Sequence, residues 1–145
     1  MRMSRVACSV PIAARPTEVW EVLVDVEHWP LWASQFKGIE RLDAAPLAQG
    51  SRVRVRPKGM LASTWRVTEF EEGRSFTWKS SVGPGLVVTG GHVLSADGTS
   101  VRAEFWLDAT GPIGSIVAPL LRGTVFRRNT RNAAEGLKRY VEGRR

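Results

Sequence analysis

At 145 residues, 43% hydrophobic and 24% charged, the chain can bury one continuous core and is too apolar for wholesale disorder. No apolar run approaches the roughly 18 to 20 residues that a membrane span needs. The formal charge of +7 is concentrated at one end: residues 122–145 hold eight basic groups against Glu135 and Glu142, a net of +6.

The N-terminal stretch MRMSRVACSVPIAARP has no sustained apolar segment of the kind that directs secretion, so a cytoplasmic location is the expectation. Cys8, the only cysteine, excludes an internal disulfide and a cysteine-built metal site, and reads as a packing residue.

Residues 3–12 read as a strand, with Val6, Cys8 and Val10 alternating against Arg5, Ala7 and Ser9. Pro16 suits the first position of a helix, where its missing N–H costs nothing, and Glu18 in the first turn favours the helix dipole. Val19, Trp20, Leu23 and Val24 form the stripe of a helix packed on one side. Asp25 is placed to end that helix and cap a second short one, which Pro30 interrupts within HWPLW.

Six β-rich runs follow: FKGIERLD, GSRVRVRP, MLASTWRVTEF, RSFTWKSSV, GLVVTGGHVL and TSVRAEFWLDA. Gly, Pro and Asp punctuate them, and the short connections argue for an antiparallel meander. SADGT is a hairpin turn with Asp97-Gly98 at its tip. From about Ile113 to Glu142 the pattern is helical, and Pro119 predicts a kink or a late true start. No repeat or linker divides the chain, so one domain over residues 1–145 is expected.

Alternation assigns faces. Val53, Val55, Leu61, Ser63, Trp65, Val67, Phe76, Trp78, Ser80, Val101, Ala103, Phe105 and Leu107 share the inner side; Arg52, Arg54, Arg56, Arg66, Lys79 and Trp106 face out. If Ala96 to Thr99 form the turn, His92 faces Ala103 and becomes a polar group on the apolar side. That makes it either a buried neutral histidine or a ligand-contacting donor or base. Six tryptophans either fill a concave sheet or line a cavity in it.

The order of strand, two short helices, six-strand meander and long C-terminal helix resembles the START-like (SRPBCC) helix-grip fold. Within it, the chain is similar to the polyketide cyclase/dehydrase and lipid-transfer family. The likeness is carried by IAARPTEVWEVLVDVEHWPLWA, GSRVRVRP, WRVTEFEEGRSFTWKS, the DGTSVRAEF hairpin and GPIGSIVAPLLRG. It implies an α+β fold in which a curved antiparallel sheet of about seven strands wraps around a long C-terminal helix. It also implies a hydrophobic cavity between the two. Some family members close aromatic rings and others bind or carry lipids, and no linear catalytic motif transfers to this sequence.

The expected ligand-binding residues are Trp32, Phe36, Val53, Val55, Leu61, Ser63, Trp65, Trp78, His92, Phe105, Leu107, Val117 and Leu121. An enzyme of the cyclase/dehydratase type would need acid/base groups in the cavity, and His92 is the one candidate. An inner face so poor in titratable groups favours binding or carriage of a small hydrophobic ligand. The basic C-terminal helix offers contact with an anionic membrane surface, or a third reading as an interaction module. No recognised nucleic-acid module is present. No cofactor is called for: no GxGxxG or P-loop occurs, and His28 and His92 lie in separate elements, which argues against a histidine metal site. Ligand identity and oligomeric state are not legible.

Overall fold

The computed structural model describes residues 5–144. The predicted strand residues Met3 and Ser4, and the last basic residue, Arg145, lie outside them. Seven strands form one antiparallel sheet in the order β1-β7-β6-β5-β4-β3-β2. They are β1 (Val6–Ile12), β2 (Phe36–Arg41), β3 (Arg52–Pro57), β4 (Ser63–Glu71), β5 (Ser75–Gly83), β6 (Leu86–Asp97) and β7 (Ser100–Thr110). Between β1 and β2 run helix α1 (Pro16–Val24) and a 3-10 helix (Val26–Leu31). The C-terminal helix is continuous through α2 (Gly111–Leu121), a π-helical turn (Arg122–Phe126) and α3 (Arg127–Gly143). This is the helix-grip arrangement.

The helix grips the sheet through α3. Ala133, Ala134, Leu137 and Val141 are buried on one side of it, while Arg128 and Arg139 stay exposed on the other. At its far end Glu142 accepts from the Ala13 backbone N–H (2.8 Å), and Lys138 donates to the Pro11 carbonyl (2.6 Å). These bonds pin α3 to the link between β1 and α1.

Three local expectations change. The second short helix is 3-10, and its period of three puts Val26, Trp29 and Trp32 on one buried face. Asp25 precedes it but its carboxylate bonds the His28 imidazole (2.7 Å) and caps no backbone N–H. The β6–β7 hairpin closes tighter than predicted: Asp97 pairs with Ser100, and His92 pairs with Phe105 instead of Ala103. Gly98, at φ +65°, supplies the conformation a two-residue loop requires. The register moves by two residues, so His92 keeps its side of the sheet.

Leu61 is a fourth correction. Alternation assigns it to the inner face of β4, but that strand begins at Ser63 and Leu61 is 92% exposed in the preceding turn. Gly59, at φ +74°, turns the chain there, which takes Leu61 out of the pleat.

The approach of α3 to the 3-10 helix depends on Gly136, where a Cβ would overlap the Trp32 carbonyl oxygen. Overpacking against rigid backbone typically costs about 1–3 kcal/mol. Gly136→Ala is therefore expected to lower unfolding free energy by about that amount in urea titrations. Gly143→Ala, with open space around it, is expected to be neutral or slightly stabilising.

Candidate functional site: an aromatic floor and a half-buried wall

Trp29 occupies the centre of the concave face. Its ring centroid lies 5.1 Å from those of Trp78 and His92, 5.2 Å from Trp32, 5.8 Å from Phe36 and 6.3 Å from Phe76 and Phe105. The indole N–H donates to the Leu23 carbonyl (2.9 Å), one of the last carbonyls of α1 that the helix itself leaves unpaired. The inward residues Val53, Val55, Trp78 and Phe105 are all buried in this same core, and Phe36 packs on it half-buried. Seven of the predicted ligand-binding residues, Trp32 and His92 included, thus belong to one packed floor.

The other predicted residues lie toward α2. Trp65, Leu107 and Leu121 pack, half-buried, on a second cluster of Val88, Ala109, Ala118 and Phe126, joined by Leu86 and Val125. Trp65 bridges the two groups, with its ring 5.8 Å from Trp78. Ser63 accepts the Trp65 indole N–H (2.9 Å). Val117 is half-buried on α2 and sits outside this cluster.

His92 is enclosed on the floor. Its Nδ1 lies 2.9 Å from the Phe76 carbonyl, which only accepts, so Nδ1 carries the hydrogen. Its ring is 4.3 Å from that of Phe76, at 30°. Burial pushes the imidazole down to about 4, with the Phe76 carbonyl opposing the shift. It is therefore neutral at neutral pH. Cys8, on β1, is held protonated: burial is the main cause, Glu135 adds to it and Arg131 opposes it.

Three residues escape a reading of the sequence. Trp29 falls near the inner side but outside the expected ligand-binding set; the three-residue period Val26, Trp29, Trp32 is the signal that marks it. Gln35 lies in the link to β2, where no alternation applies. Its amide N–H donates to the Asn129 carbonyl (3.2 Å), while its Oε1 and the Trp32 Nε1 are buried without a partner among the described residues. Val125 falls in the π turn, where the ordinary helical period loses phase.

Among the described residues two surface clefts stand out. One, of about 550 Å³, lies between β1 and the α2–α3 junction. The other, of about 280 Å³, lies beside Trp20, Phe70 and Leu47. Among the described residues no three metal-ligating side chains cluster, and no helix is long and apolar enough to cross a membrane.

A sheet folded round a C-terminal helix with an aromatic concave face defines a helix-grip protein. The chain belongs to the polyketide cyclase/dehydrase and lipid transport family, whose profile matches residues 3–142. It is similar in structure to the Zhui aromatase/cyclase from Streptomyces sp. R1128, with TM-score 0.75, 20% identity, and coverage of 97% of this chain and 94% of that one. A hypothetical protein from Helicobacter pylori aligns with TM-score 0.79 and 18% identity, over 94% of this chain and 87% of that one. A protein from Thermus thermophilus aligns with TM-score 0.73 and 21% identity, over 97% of this chain and 98% of that one. A search of curated proteins gave no match.

The pH dependence of stability follows from His92. The unfolded imidazole titrates at 6.5 and the folded one at about 4, so the unfolded chain binds more protons between these values. The native state keeps its full advantage above pH 6.5 and loses about 3 kcal/mol as pH falls towards 4. Urea unfolding at about pH 7 and about pH 4.5 is expected to show this slope, and His92→Gln is expected to flatten it.

Proposed function

We propose that the protein binds and carries a small hydrophobic ligand, aromatic or isoprenoid-like, between the sheet and the C-terminal helix. The observation that carries this reading is a contrast in burial along one inner face. Around Trp29 the inward side chains are closed off, whereas Trp65, Leu86, Leu107, Leu121 and Val125 point into the grip and are still only half-buried. Apolar side chains facing inward yet accessible are a surface for an apolar guest, since covering them removes that area from water.

The family and its aromatase/cyclase neighbours support a second reading, a cyclase or dehydratase that uses His92 as acid/base. An imidazole held near 4 is a weak base at neutral pH, and four aromatic rings enclose it. Carriage is therefore favoured.

The test is intrinsic tryptophan fluorescence of protein stripped of co-purified lipid, titrated with fatty acids, isoprenoids and polycyclic aromatic phenols. Saturable change with one class is expected. Leu121→Gln should weaken binding roughly tenfold, by exchanging an apolar contact for a polar one. Absence of saturable response in every class contradicts carriage. Turnover of a polyketide-like substrate, abolished by His92→Gln with binding retained, establishes the enzyme instead.

A further inference from the structure

The basic C-terminal element does not spread its charge evenly. Arg122, Arg127 and Arg131 line the 550 Å³ cleft from the helix side, and Arg5 lines it from β1. Among the described residues none of the four makes an ion pair, a state they share with the scattered surface residues Arg54, Arg56, Arg66, Arg128, Arg139 and Arg144; what sets the helix arginines apart is that they line one cleft. Glu135, one turn beyond Arg131, is exposed and bonded to none of them.

The π-helical turn explains the convergence. In an α-helix, residues five apart lie about 140° round the axis, so Arg122 would point away from Arg127 and Arg131. The i→i+5 closure over Arg122–Phe126 brings residues five apart onto one face. Arg127 and Arg131, four apart at the start of α3, already share that face. The Arg5 guanidinium lies 3.7 Å from the centroid of Trp106 on the convex face, so Arg5 borders the cleft while its charge is held outside it. Gathering three like charges with Glu135 as the nearby carboxylate leaves an excess of positive charge, which a polyanionic guest would make favourable.

We propose that this cleft, which shares Val6 with the apolar cluster of the grip, binds a phosphate or diphosphate group through Arg122, Arg127 and Arg131. Three guanidinium forks match the charge of a diphosphate or a phosphate monoester better than that of one carboxylate, and each can bond two oxygens. The group can belong to a soluble organic phosphate or to a phospholipid head group.

The test titrates the full chain with inorganic pyrophosphate by calorimetry at about 0.15 M salt, where loose surface attraction is largely screened. A parallel arm measures sedimentation with phosphatidylcholine vesicles, with and without phosphatidic acid. Arg122→Ala, at a half-buried position, and Arg127→Ala, at an exposed one, should each weaken binding about tenfold or more. Arg139→Ala, exposed on α3 and outside the cleft, should leave binding unchanged, and Arg127→Lys should restore it only in part. Saturable pyrophosphate binding with this pattern supports the site with a soluble source. Binding only to phosphatidic acid vesicles, with the same pattern, supports it with a lipid source. No binding in either arm, or equal loss in Arg139→Ala, overturns it.

Discussion

The contact on which the molecule depends is the docking of Trp29 into the concave face. One side chain on a six-residue 3-10 helix meets β5, β6 and β7 through Trp78, His92 and Phe105, and its N–H closes the C-terminal turn of α1. Truncating a buried tryptophan costs roughly 3–5 kcal/mol, a large share of the roughly 5–15 kcal/mol that stabilises a typical domain. Because that indole fills one end of the grip, the half-buried apolar side chains of the inner face lie toward α2. Burial of the inner face is therefore divided by one ring: the floor is closed where Trp29 packs, and the wall beside α2 stays half-buried where it does not.

His92 shows the same logic in electrostatic form. A site that must exclude water to stabilise an apolar guest also strips solvation from any titratable group in its floor. The imidazole is tolerated because it remains neutral and donates its one N–H to a hydrogen bond with the Phe76 carbonyl. That environment suits a hydrogen-bonded packing residue better than a proton shuttle. Charge is instead kept on the convex face and at the β1 edge, where Arg54, Arg66 and Arg127 are exposed to water.

Much of the fold was legible because its determinants are local. Period-two alternation located the strands and their faces, and Pro16 marked the start of α1. The parity of the sheet kept His92 on the correct side although its partner moved from Ala103 to Phe105. What escaped depends on geometry that residue type does not encode. Leu61 is apolar and in phase with β4, yet a turn at Gly59 removes it from the pleat. Pro119 announced a disturbance in the C-terminal helix, but not that the next residues would wind as a π turn and bring Arg122 onto the face of Arg127. The division of the tryptophans between a closed floor and an open wall arises from tertiary packing, which alternation cannot rank.

The central claim is that a ligand meets the Trp65 wall and leaves the floor's far side and the convex face untouched. Fluorine NMR of protein labelled with 5-fluorotryptophan tests it directly, because each of the six indoles reports separately once assigned by Trp→Phe substitution. Addition of a hydrophobic ligand should move the Trp65 resonance most, and the neighbouring Trp78 less, in a saturable manner. Trp20, beside the smaller cleft, and Trp106, on the convex face under Arg5, should stay fixed. Saturable shifts at Trp20 or Trp106 with Trp65 unmoved would contradict the account.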